Sequence, residues 1–168
     1  MKTKTLVKTA LGTALLCIGS YIAFPLPITQ VLFSAQTIVL FIIALRFDIK
    51  EALFSVLVYL LMGALGLPVF AGGVGGASKL FGITGGYYLG FLPSAILVCT
   101  LRGKSVSFKR YLFVTSVVGN ATIYICACLV ALFYNGGSIV SALYTHVLPF
   151  ILPDILKCII ASKISSRA

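Results

Sequence analysis

The sequence predicts an all-α integral membrane protein of six transmembrane helices, and three observations carry that reading. Of the 168 residues, 60% are hydrophobic and only 10% charged, whereas soluble domains run at about 25% charged. Apolar runs long enough to cross a bilayer recur along the whole chain. The basic residues gather in alternate breaks between those runs, and so on one side of the membrane. Six spans of about 20 residues would use about 120, leaving loops and tails but no room for a soluble catalytic domain. The chain therefore reads as one transmembrane domain over residues 1–168, and a soluble enzyme is excluded.

The apolar runs fall at 6–24, 31–46, 51–67, 84–101, 111–134 and 147–164. Lys2, Lys4 and Lys8 precede the first as they would a signal sequence, but bulky Tyr21 sits two residues before Ala23 and spoils a small-x-small cleavage site, so this span is expected to stay. Lys2, Lys4, Lys8, Arg46, Lys50, Arg102, Lys104, Lys109, Arg110, Lys163 and Arg167, eleven of the thirteen basic residues, fall on the N-terminal side of the membrane. Because Lys and Arg accumulate in cytoplasmic loops, both termini are expected in the cytoplasm. The net charge of +10 thus reports topology and not nucleic-acid binding.

The outer connection between spans three and four is unlike a solvated loop. Residues 66–90 read GLPVFAGGVGGASKLFGITGGYYLG, with Lys79 the lone charge. Such a segment is expected to fold back onto the bundle, where glycines can present backbone N–H and C=O groups to something bound beneath. A tight connection needing glycine for its turns is the alternative. It is no phosphate loop, because Lys79 follows Ser78 and precedes Leu80 where a Walker loop requires Gly-Lys-Ser/Thr. ATP hydrolysis, if transport uses it, must come from another polypeptide.

Asp154 and Lys157 are the most informative residues, since an ionisable group at a span centre costs at least about 2.5–3.5 kcal/mol. Three apart on a helix, they share a face and would point into one cavity. Counted along a helix from residue 147, Asp154 lies about 10 Å below the outer end. A self-neutralising ion pair that only locks the helix is the competing explanation. Pro149 and Pro153 each remove a backbone donor near the pair. His146 reads as a polar anchor at the outer edge. The five cysteines lie in apolar runs, and Cys126 and Cys128 are about 200° apart around a helix, so no metal site is expected. With one deep carboxylate, paired acid–base chemistry is missing and an enzyme is unsupported. Small residues at Ala10 and Ala14, and at Gly86 and Gly90, mark close helix contacts, either internal or with another membrane subunit, to which Gly12 would add a flat surface.

These residues bring the sequence close to a known family. PLPIT at Pro25–Thr29, Gln36-Thr37, GLPVFAGGVGG at Gly66–Gly76, TGGYYLGF at Thr84–Phe91 and LPFILPDILK at Leu148–Lys157 together resemble the BioY family, the biotin-specific substrate-binding (S) components of energy-coupling-factor (ECF) transporters. The resemblance covers nearly the whole chain. It implies a six-helix bundle in the cell membrane that binds biotin from the outer side, capped by the loop after the first helix and by the glycine-rich segment.

The family's Ala-x-x-x-Ala docking motif matches Ala10 and Ala14, implying a transmembrane coupling subunit (T component) with two cytoplasmic ABC-type ATPases as partners. The chain itself would need no cofactor. Where the family usually has Gly-Pro-Thr-Gly-Gly, this chain has Gly82-Ile83-Thr84-Gly85-Gly86. On this reading Asp154 accepts from a ureido N–H of biotin and Lys157 binds the ureido carbonyl or the valerate. Backbone groups at Gly73 and Gly75, with Ser78, Lys79 and Tyr87, would close the site, and Thr29 and Gln36 are weaker candidates. A component for another vitamin, and a self-sufficient small-solute carrier, are the rival expectations.

Overall fold

The computed structural model describes residues 3–25, 31–134 and 136–167. Its first helix, α1 (Thr3–Tyr21), buries a narrow stripe of small and polar residues, Thr9, Gly12, Thr13, Gly19 and Ser20, with Leu16 among them. Small side chains let a second backbone come close. The partner is α3 (Ile49–Ala64), which follows α2 (Gln36–Arg46) after a two-residue turn. Thr13 Oγ1 donates to the Ser55 carbonyl at 3.1 Å, and Ser55 Oγ donates to the Thr9 carbonyl at 3.2 Å. A Cβ on Gly12 would sit 2.4 Å from Ser55 Oγ. Gly12 therefore serves this internal seam and adds nothing to an outward docking surface. At the end of the seam Lys8 Nζ meets Glu51 Oε2 at 2.8 Å.

The expected fold-back of the glycine-rich connection is present. Gly66, Gly72, Gly73 and Gly76 have positive φ, which turns the chain where other residues would be strained. Phe70 is fully buried, stacked on Tyr88 with centroids 4.3 Å apart and edge-on to Tyr59 at 5.7 Å. The Gly72 amide donates to the Ser20 carbonyl at 3.1 Å and Tyr21 Oη to the Pro68 carbonyl at 2.9 Å, tying the segment to the end of α1. A one-turn helix, α4 (Ala77–Leu80), leads into α5 (Gly85–Leu101).

α5 packs against the last part of a long helical run, Phe108–Tyr134, made of α6 (Phe108–Phe113), a π-helical turn (Val114–Gly119) and α7 (Asn120–Tyr134). At 27 residues and mean hydropathy 2.0 it is long and apolar enough to cross a membrane; α2 and α5 are apolar but shorter. Gly86 and Gly90 lie in the α5–α7 seam, which assigns that glycine pair to internal packing. A Cβ on Gly86 would stand 2.5 Å from the Cys126 carbonyl oxygen and 2.6 Å from Ala127 Cα. Backbone on both sides cannot yield, so Gly86→Ala is expected to destabilise the bundle by about 1–3 kcal/mol, read as a lower thermal midpoint in detergent. An unchanged midpoint would show that the seam has slack.

Two features depart from the expected succession of apolar runs. β1 (Ala23–Phe24) and β2 (Phe33–Ser34) pair as a small antiparallel ribbon, so α2 begins later than residue 31. An additional helix, α8 (Ile139–His146), precedes the last one, and a 3-10 turn (Leu148–Phe150) separates it from α9 (Ile151–Arg167). Pro149 occupies that turn, where its missing N–H costs nothing. As a result Asp154 lies in the first turn of α9 and not midway along a helix running from residue 147. A carboxylate there is favoured by the free amides and dipole of the helix start.

The core runs through Leu40, Phe41, Tyr59, Val98, Ile123 and Cys158. Large apolar side chains also face outward all round, among them Leu61, Leu65, Val117, Leu129, Phe133 and Leu152. Apolar both inside and outside, the helices suit a lipid surround and not water.

Candidate functional site

Between the ribbon, the folded-back connection and the N-terminal parts of α2, α5, α7 and α9 lies a cavity of about 80 Å³. Val31, Leu32 and Ser34 close it from the ribbon side, and Ala71, Val74, Lys79 and Thr84 from the glycine-rich side. Gln36 and Thr37 reach it from α2, Tyr87, Tyr88 and Phe91 from α5, and Ile123 from α7. Phe150, Asp154 and Lys157 complete it.

The acid and the ammonium expected to share a face do so. Lys157 Nζ lies 2.9 Å from Asp154 Oδ1, and both side chains are more than nine-tenths buried. The second carboxylate oxygen, Oδ2, accepts from Tyr124 Oη at 2.6 Å. The Lys157 ammonium also sits 3.9 Å from the centroid of the Phe33 ring, a cation–π contact supplied by the ribbon. A buried ion pair with further partners of this kind has its desolvation offset without being sealed from a ligand.

The remaining polar groups divide into those already spent and those still open. Gln36 donates through Nε2 to Tyr59 Oη at 2.5 Å and to the Val69 carbonyl at 3.3 Å, so much of its capacity holds the connection to the bundle. Tyr87 Oη donates to the His146 carbonyl at 2.5 Å, and its ring faces the cavity edge-on to Phe150. Thr37 Oγ1 is buried with no hydrogen-bond partner. An unpartnered buried hydroxyl is costly, and here it lines the cavity.

The structure thus brings Asp154, Lys157, Lys79, Tyr87 and Gln36 to one cavity. Gly73, Gly75 and Ser78 are not among its lining residues, and Thr29 lies outside the described residues. The amides of Gly72, Gly73 and Gly76 donate to the Ser20, Phe70 and Gly63 carbonyls, so these N–H groups are used within the fold. Gly75 is needed for close approach: a Cβ there would lie 2.1 Å from the Leu67 carbonyl oxygen. Sequence reasoning does not single out Phe33 or Tyr124, and names Thr37 only within the Gln36-Thr37 motif and not as a site residue. For Tyr124 one signal existed, since a deep carboxylate calls for a second donor and Tyr124 is a polar residue inside an apolar run.

His146, at the outer edge, is buried with neither ring nitrogen partnered. Burial pushes its pKa below the usual value, which leaves the ring neutral at physiological pH. Among the described residues no three His, Cys, Asp or Glu side chains cluster to hold a metal.

A multi-helix membrane protein with a small, mostly apolar cavity and one charge pair inside it has the form of a solute-binding membrane component. Comparison with known proteins makes this particular. The BioY family profile matches residues 1–168, and the chain belongs to that family. It is 37% identical to the Biotin transporter BioY of Thermotoga maritima, over 98% of this chain and 95% of that protein. It is also 37% identical to the Probable biotin transporter BioY of Pyrococcus horikoshii, over 99% and 97% of the two chains. Its fold superimposes with a TM-score of 0.89 at 26% identity on a crystal structure of the S-component for biotin from an ECF-type ABC transporter, covering 99% of this chain and 90% of that one.

Proposed function

We propose that this protein captures biotin at the outer face of the cell membrane as the substrate-specific S component of an ECF-type transporter. The observation that carries the reading is the buried Asp154–Lys157 pair facing a cavity in a BioY-family fold. Biotin has a ureido head with two N–H donors and a carbonyl, an apolar bicycle and a carboxylate tail. A ligand of that kind must find an acceptor, a donor and apolar walls in one pocket. Asp154 supplies the acceptor and Lys157 the donor. Phe91, Ile123 and Phe150 supply walls, and Thr37 a hydroxyl that ligand binding would satisfy. Lys79 and Tyr87 lie at the rim, while Gln36, Gly73, Gly75 and Ser78 act by shaping what lies above.

Six spans with both termini in the cytoplasm complete the proposal, as one transmembrane domain. The chain is not an enzyme on this reading, and ATP is hydrolysed by two cytoplasmic ATPases bound to a transmembrane coupling subunit. That subunit would dock on α1 at Ala10 and Ala14, which are exposed on the face opposite the buried stripe.

Calorimetric titration of the purified, ligand-free protein in detergent tests the binding function. Saturable one-to-one binding of biotin is expected. Thr37→Val should weaken it about tenfold, the effect of one lost hydrogen bond of about 1–1.5 kcal/mol. No binding by folded protein would sink the assignment. Competition by thiamine or riboflavin and not by desthiobiotin would move it to another vitamin. Uptake by cells lacking the coupling subunits would favour a self-sufficient carrier.

A further inference from the structure

The long helical run reaches Asp154 from outside the cavity. The π-helical turn at Val114–Gly119 widens the helix by one residue per turn and so rotates α7 relative to α6. Ser94 Oγ donates to the Gly119 carbonyl at 3.0 Å at its end. In the register that results, Asn120 and Tyr124, four apart and on one face, lie against α9. Asn120 Nδ2 donates to Cys158 Sγ at 3.3 Å, and Tyr124 Oη donates to Asp154 Oδ2 at 2.6 Å. Two pairs, 120 with 158 and 124 with 154, lock the antiparallel helices.

The Tyr124 side chain does not line the ligand cavity. It belongs to a separate lateral groove with Leu112, Val117, Ile151 and Ile155, and its hydroxyl alone extends to the carboxylate. The other carboxylate oxygen, Oδ1, faces the Lys157 ammonium at 2.9 Å as an ion pair and accepts no hydrogen bond. A carboxylate held at Oδ2 by this hydrogen bond cannot swing to pair with the ammonium through both oxygens, which would turn its acceptor lone pairs away from the cavity.

We propose that Tyr124 is a positioning residue: by holding Asp154 Oδ2 from behind, it keeps the carboxylate's remaining lone pairs available to an N–H donor in the cavity and so sets affinity for a ureido ligand. This rests on the reading that Asp154 accepts from biotin. A packing role for the ring in the lateral groove would leave the carboxylate unaffected.

The two are separated by pairing a binding measurement with a spectroscopic one on Tyr124→Phe, which keeps the ring and removes the hydroxyl. The chain has only three acidic side chains, Asp48, Glu51 and Asp154. Protein grown with carboxyl-13C-aspartate therefore carries two labelled side chains, and the Asp154 carboxylate band is identified by its loss in Asp154→Asn. The expected result is a shift of that band in ligand-free Tyr124→Phe, with biotin affinity lowered on the order of tenfold to a hundredfold, as for a hydrogen bond to a charged group.

Weaker binding with an unmoved band would overturn the proposal in favour of packing. Unchanged affinity would overturn it as well. If Tyr124→Phe does not fold, Tyr124→3-fluorotyrosine keeps the shape with a stronger donor, and an unmoved band there is equally decisive. Should the native protein bind no biotin, the biotin reading fails, while the infrared comparison in ligand-free protein still decides whether Tyr124 holds Asp154.

Discussion

Asp154→Asn is expected to abolish high-affinity biotin binding and to destabilise the protein at the same time. The amide keeps the shape but removes the charge that faces Lys157 at 2.9 Å and Tyr124 at 2.6 Å. It leaves the ammonium buried without its counter-charge. Breaking a buried pair in this way costs about 3–5 kcal/mol, a large share of the stability of a small protein. The double variant Asp154→Asn with Lys157→Met removes both charges and is expected to recover most of the stability while binding stays lost. Thermal unfolding and calorimetry on the two variants separate the ligand role of the pair from its structural role. Full biotin affinity in folded Asp154→Asn would remove Asp154 from the site.

The second large effect is expected far from the cavity. Ala10→Trp with Ala14→Trp should leave biotin binding intact and lower cellular uptake about tenfold or more, the consequence of losing about 1.4 kcal/mol or more of docking energy. Both alanines are exposed on α1, while Thr9, Gly12, Thr13 and Leu16 of the same helix are buried against the bundle. Bulky side chains at these exposed positions would hold a docking helix away. Uptake at the native level would take α1 out of the coupling interface. Loss of binding together with uptake would instead assign these residues to internal packing.

Much of this protein was legible from composition and spacing because a bilayer constrains sequences strongly. A membrane helix must be apolar, and an ionisable residue inside it is costly, so Asp154 and Lys157 stand out against their surroundings and their i, i+3 spacing places them together. Likewise the glycine-dense run 66–90 could be read as a segment folded onto the bundle, and Phe70 and Gly72 bear that out. Individual roles within it were not legible. Whether a glycine amide faces a ligand or the Ser20 carbonyl depends on how α1 meets the connection, a contact between residues about fifty apart in sequence.

Residue type at a fixed local spacing was enough for the membrane class, the acid–ammonium pair and the small-residue seams, and the resemblance of whole motifs was enough for the family. Packing in three dimensions decided which side of a seam each small residue serves, giving Gly12 to α3 and leaving Ala10 and Ala14 outward. It placed Asp154 in the first turn of α9, after a 3-10 break, brought Phe33 and Tyr124 to the pair from two other elements, and put Thr37 on the wall of the same cavity. A helix repeats every 3.6 residues and can be read along the chain. The register of one helix against another, here set partly by a π-helical turn, depends on contacts between residues that sequence order keeps far apart.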